Sequence, residues 1–162
     1  MHRLLAAAAL AGALVFAACG SSNDTGSAAS APGKTVSVKH VAGVGDVLVD
    51  ASGHALYTPE QEAGGKIRCV GGCVSFWLPL EAGSHPTAGA GVGSLALVRR
   101  PDNTKQVTVD GKPVYSFSQD MPGKVTGNGF KDKFGGQAFT WHVVLAGGKQ
   151  STASGSGGGY SY

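Results

Sequence analysis

The chain has 162 residues, with 13 Lys and Arg against 10 Asp and Glu, a net charge of +3. That length suits one folded domain, and so slight a positive balance excludes a nucleic-acid partner, which needs a clustered basic patch. Glycine supplies 27 residues, about one in six against a usual ~7%, which points to tight turns between short strands.

Residues 1–18 have the layout of an export signal. A short basic start ending at Arg3 is followed by an apolar run over 4–16 and by Ala17 and Ala18. The run is shorter than the ~20 apolar residues that a membrane-spanning helix needs. Phe16-Ala17-Ala18-Cys19 resembles a bacterial lipobox, with Phe where Leu is usual, so Cys19 is the expected lipidation site. Loss of the leader removes Arg3 and leaves 12 basic against 10 acidic residues, a net of +2. Cysteine arithmetic agrees. Of the three cysteines, Cys69 and Cys73 remain once Cys19 carries lipid, and an even pair in an exported protein reads as a disulfide.

Residues 19–33 have no apolar periodicity and read as a flexible tether. A folded unit is expected over 34–148, and 149–162, rich in Gly and Ser, is a disordered tail. Within the unit the pattern has period two. Val36 and Val38 alternate with Ser37 and Lys39; segments 47–50 and 55–58 flank Ala51-Ser52-Gly53 as a hairpin. Leu95 to Arg99 is a strand turned back by Pro101-Asp102-Asn103 into Gln106. Segments 106–109 and 113–117 flank Asp110-Gly111, the signature of a type I′ turn. A last strand covers 139–145. Every apolar window is broken by Gly or Pro, so no long amphipathic helix is predicted. Leu48 to Tyr57 and Val107 to Tyr115 share a plan, strand, Asp-containing turn, strand and Tyr, which makes a weak internal repeat.

Few side chains point to chemistry. Cys69 and Cys73 are bent together by Gly71 and Gly72; a structural clamp competes with a redox pair or a two-thiolate metal site. Val74 follows the second Cys where a c-type haem motif needs His. His40, His54, His85 and His142 are scattered, without metal-site spacing. Tyr115 and Phe117 share a strand face directed at the core, and the Asp120 carboxylate is placed to bond backbone N–H groups of the following Met121-Pro122-Gly123 turn. The glycines at 89, 91 and 93 lack the flanking elements and Lys of a phosphate loop.

These residues together resemble a family of secreted bacterial lipoproteins of unknown function, marked by Tyr-x-aromatic-x-x-Asp. Tyr115-Ser116-Phe117-Ser118-Gln119-Asp120 matches in full. In the first copy Tyr57 is followed by Pro59 in place of the aromatic and Glu62 in place of Asp. Cys69, Gly71 and Cys73, then Trp77, Pro79 and Leu80, are similar to the family's Cys-x-Gly-x-Cys and Trp-Pro-Pro-Leu elements. Arg100 and Asp102, with Gln106-Val107-Thr108, are similar to its Arg-x-Asp-Gly and Gln-Val-Thr segment, and Gly135, Gly136 and Trp141 to its closing Gly-Gly-x-Trp. The resemblance transfers no activity.

The expected fold is all-β, one small domain of short antiparallel hairpins, with barrel, sandwich and propeller-like closures left open. The expected protein is an extracytoplasmic lipoprotein held to the cell membrane by its anchor, which binds an envelope protein or a small-molecule ligand. It has no assigned catalytic residue and no cofactor. The alternative is a redox, metal- or haem-handling accessory of the envelope built on Cys69 and Cys73 with a nearby His or Met.

Overall fold

The computed structural model describes residues 33–152 and the backbone of Tyr160–Ser161. The leader, Cys19 and all but the last residue of the tether lie outside the described residues, as do 153–159 and 162 of the tail. In chain order the strands are β1 (Val36–Val41), β2 (Gly45–Asp50), β3 (Leu56–Pro59), β4 (Trp77–Pro79), β5 (Leu95–Arg99), β6 (Lys105–Val109), β7 (Lys112–Pro113), β8 (Tyr115–Phe117), β9 (Lys131–Phe134), β10 (Gln137–Val143) and β11 (Tyr160–Ser161). Single 3-10 turns at Glu60–Glu62, Gly71–Ser75 and Ala146–Gly148 are the only helical pieces among the described residues. The fold is all-β, as expected.

The strands form three open sheets: β1–β2, β5–β6–β7, and a six-stranded sheet in the order β11-β9-β10-β3-β8-β4. Pairing is antiparallel except between β11 and β9. The centre of the large sheet is buried on both faces. Tyr57, Tyr115 and Val143 point into one core with Trp77, Phe117, Phe139 and Trp141. Their sequence neighbours Leu56, Val114 and Val144 point into another with Val36, Leu48, Val107 and Val109. Adjacent residues serve opposite cores because side chains alternate along a strand.

This two-sided burial decides where the predicted hairpins open. The Ala51–Gly53 turn exists, with Gly53 at φ 86°, but the strands beside it share one bridge, Val49 to Ala55. β2 pairs with β1, while β3 crosses into the large sheet between β10 and β8. All four residues of β3 are buried, and β10 and β8 cover its two edges. At the other predicted hairpin, Asp110 and Gly111 both have positive φ, 48° and 78°, as a type I′ turn demands. Pairing there stops after Thr108–Pro113. The Val114 N–H still donates to the Val107 carbonyl, but the Val107 N–H turns to the Leu80 carbonyl, and the chain leaves as β8 to join β3 and β4. Asn103, which stands where the family's Arg-x-Asp-Gly element has Gly, takes φ 69° in the β5–β6 turn.

Strands β4 and β9 carry no predicted counterpart. The first is three residues long and ends on Pro79; the second, Lys-Asp-Lys-Phe, is mostly polar. β10 begins two residues earlier than expected and ends at Val143. Backbone pairing also continues past residue 148: Gln150 bridges to Val144, Ser151 N–H donates to the Val143 carbonyl, and β11 lies beside β9.

Candidate functional site

The two repeat copies meet in the large sheet, with Tyr57 directly opposite Tyr115 in the β3–β8 pair. Each tyrosine bonds the acid of the other copy. Tyr115 donates to Glu62 Oε2 at 2.7 Å, and Tyr57 donates to Asp120 Oδ2. Each acid also gathers backbone further along its own copy. Glu62 Oε1 accepts from the N–H groups of Arg68 and Cys69 at 2.6 and 2.7 Å. Asp120 Oδ1 accepts from the N–H and hydroxyl of Thr126 at 2.9 and 2.6 Å. The structure therefore corrects one expectation: Asp120 holds Thr126 and the distant Tyr57 rather than the Met121–Gly123 turn. Burial, with the adjacent Asp120, pushes the Tyr57 phenol far above its ordinary value; burial and Glu62 do the same to Tyr115, and both hydroxyls stay donors.

Arg100 joins the Glu62 knot from the end of β5. It is 2% exposed. Its Nη2 donates to the Cys69 carbonyl at 2.8 Å, its Nη1 to Gln106 Oε1 and, at 3.5 Å, to the Tyr115 hydroxyl. Gln106 passes the chain on to the Val114 carbonyl at 2.9 Å. Asp102 stays at the surface, 3.4 Å from Arg100 Nε; hydrogen bonds from Thr104, then Arg100, hold its carboxyl below the usual value. Cys69 and Cys73 are joined by a disulfide, Cα to Cα 5.3 Å, and neither is exposed.

Trp77 and Trp141 stack at 3.9 Å between centroids, and Phe117 stacks on Trp77 at 4.4 Å. Both indole N–H groups donate to Asp132, at 2.7 and 3.1 Å. Burial raises the Asp132 carboxyl above its ordinary value, against the lowering effect of the two indoles. Asp132 gave no sequence signal, since a lone acid between lysines reads as surface. Glu62 did give one, as the residue standing in the Asp position of the first copy.

A second polar region lies beside β10. A groove of about 380 Å³ is lined by Glu60, Lys131, Thr140, His142, Gln150 and Thr152, among others. His142 Nε2 is 2.7 Å from Glu60 Oε1. His142 faces Thr58 across the strands, and Gln150 faces Val144, two residues from His142 on the same side of the sheet. Among the described residues, the buried side-chain polar atoms without a partner are Thr58 Oγ1, His142 Nδ1 and Gln150 Nε2. All three belong to this one sheet face. In the neutral tautomer whose Nε2–H donates to Glu60, Nδ1 is an acceptor on the same sheet face as a hydroxyl and an amide donor. Among the described residues no three His, Cys, Asp or Glu side chains are grouped to hold a metal ion.

Comparison with known proteins identifies the second copy. Residues 96–144 match the family model of a secreted repeat of unknown function. That stretch holds Arg100, Asp102, Tyr115, Phe117, Asp120 and Trp141, so the resemblance read from these residues is borne out. No curated protein and no solved structure matches the chain. Apart from Asp102, the family-motif residues singled out in the sequence are core: Tyr57, Trp77, Arg100, Tyr115, Phe117, Asp120 and Trp141 are all buried. The His142 groove was missed, because its residues come from a turn, two strands and the chain's last described stretch.

Proposed function

We propose that this secreted repeat protein is a lipid-tethered module of the cell envelope that binds a ligand through the His142 groove and catalyses no reaction. The carrying observation is the division of polar groups. Glu62, Arg100, Tyr57, Tyr115 and Asp120 satisfy one another inside the cores, while two of the three unpartnered buried atoms belong to His142 and Gln150, which line one groove, and the third to Thr58 opposite His142. Buried polar groups are nearly always paired, so an unpaired set asks for an occupant. Within the groove Gln150 Nε2 offers a proton and His142 Nδ1 offers a lone pair. A neutral hydroxyl fits both roles, donating to the ring and accepting from the amide. The ligand class is accordingly a neutral, hydroxyl-bearing small molecule or an equivalent side chain of a partner protein. Cys19 supplies the tether, which needs more than one acyl chain for stable anchoring.

Chemical-shift mapping of the isotope-labelled protein, with glucose and glycerol as probes, tests the groove. Shifts centred on Thr58, His142 and Gln150, absent in a Gln150→Leu variant, support it; shifts scattered over the surface sink it. Fractionation of cells carrying Cys19→Ser tests the tether. Unchanged retention in the membrane sinks that part alone.

A further inference from the structure

One end of the domain gathers features that the groove does not use. The Gly123 N–H donates to the Gly53 carbonyl at 2.9 Å, which locks the Met121–Gly123 turn to the Ala51–Gly53 loop. Lys39 reaches the same place from β1. Its Nζ lies 3.2 Å from where a Cβ on Gly123 would be, and 3.8 Å from one on Gly53. The chain also enters the described domain here, since a Cβ on Gly33 would lie 3.9 Å from that of Ala51. Lys34 follows Gly33, and Lys124 follows the turn; both are exposed, like Lys39.

At the tip stands Met121, 70% exposed, more than any other large hydrophobic among the described residues. Pro122 beside it is exposed too. The nearby acids are engaged. Asp50 Oδ1 accepts from the N–H groups of Ser52 and His54, Asp46 is 2.8 Å from His40 Nδ1, and Asp120 is buried against Tyr57 and Thr126. Hydrogen bonding does not cancel a carboxylate's charge, but Asp120 is buried and the Asp50 side chain is 16% exposed, so the outward-facing charges are the three lysines against Asp46.

We propose that this end of the domain rests on anionic lipid headgroups, with Met121 and Pro122 in the headgroup layer and Lys34, Lys39 and Lys124 over the phosphates. The inference rests on the tether reading of Cys19. Thirteen residues separate Cys19 from Gly33, at most ~50 Å when fully extended, and the chain enters the domain at this end, so the end lies within that reach of the anchor. Lysines that close to an anionic leaflet are drawn to it, and the pull fades within a Debye length. An exposed apolar tip flanked by cations is the composition that sits in a membrane interface.

The test couples Cys19 of the non-acylated chain, from Cys19 onward, to a maleimide lipid in vesicles, so the result does not depend on acylation in cells. Cys69 and Cys73 are bonded to each other and do not react. A Met121→Trp variant is read against its parent, whose two tryptophans are buried, using lipids with brominated chains as quenchers. The expected result is quenching in phosphatidylglycerol vesicles that falls several-fold in phosphatidylcholine and in a Lys39→Glu/Lys124→Glu background. Lys66→Glu, which lines a different groove with Arg99 and Pro101, leaves it unchanged. Emission untouched by the quencher in anionic vesicles, or quenched equally in both lipids, overturns the inference. An unacylated N-terminal fragment from cells, read by mass, would count against the tether reading instead.

Discussion

The two tyrosine–acid knots share a frame and differ in what closes it. In each, a phenol from one copy bonds the carboxylate of the other, and that carboxylate collects the backbone six residues further on, Arg68 from Glu62 and Thr126 from Asp120. The Glu62 knot is then closed by the Cys69–Cys73 disulfide and by a buried guanidinium that donates to the Cys69 carbonyl and the Tyr115 hydroxyl. The Asp120 knot has neither. It is closed by contact: a Cβ on Gly127 would lie 2.8 Å from the Trp77 ring and 3.2 Å from that of Tyr57, so the backbone there sits against two aromatics. One geometry is thus stabilised once by a buried guanidinium and a cross-link and once by close packing on a glycine.

The sharpest way to break the comparison is to remove each acid in turn. Glu62→Ala strands the Tyr115 hydroxyl and two backbone N–H groups and leaves the buried Arg100 with the exposed Asp102 as its anion. It is expected to cost ~3 kcal/mol or more. Asp120→Ala strands Tyr57 and Thr126 but no buried cation, and is expected to cost about 2 kcal/mol. Denaturant melts of both variants give the order; equal losses would mean that the guanidinium adds nothing to the Glu62 knot.

Opening the cross-link comes next. The Cys69→Ala/Cys73→Ala double variant should lose about 2 kcal/mol, the loop entropy of so short a ring. With both cysteines buried, alkylation of the native protein should leave the fragment carrying them unlabelled before and after glutathione treatment. Labelling after gentle reduction would favour the redox alternative. At the periphery, Gly111→Val should cost about 1 kcal/mol, because a β-branched residue resists positive φ. No loss of melting temperature would show that the β6–β7 turn relaxes freely.

The smallest effect is a pH trend in the aromatic layer that lies against the Asp120 knot. Burial raises the folded-state pKa of Asp132 above its unfolded value of 3.8. In that window the native state binds the extra proton, so stability rises as pH falls from above the folded value toward 3.8. The Asp132→Asn variant should lack this rise. Thermal melts of both forms across the acid range check it, and parallel pH profiles would mean that Asp132 ionises as freely as an exposed carboxylate.

Much of the core was legible because its cues are local. Tyr115 and Phe117 alternate with Ser116, Asp110-Gly111 demands positive φ, and Asn103 tolerates it. The Cys69–Cys73 pair follows from parity in an exported chain. Partner choice was not local. Nothing within the first copy says that Glu62 serves Tyr115, and nothing within the second says that Asp120 serves Tyr57, since each bond spans more than fifty residues. Asp110-Gly111 marked the β6–β7 turn, yet the destination of the strand after it was not local, since the Val107 N–H turns to the Leu80 carbonyl and β8 pairs with β3 and β4.

By itself the sequence determined the strand period, the turn positions and the family motif, because these are written in residues a few places apart. Only the tertiary structure decided how the copies cross, that Arg100 is buried, and that His142, Thr58 and Gln150 share a face. Those contacts depend on sheet order, which is set by the mutual burial of two cores and not by any single stretch of chain.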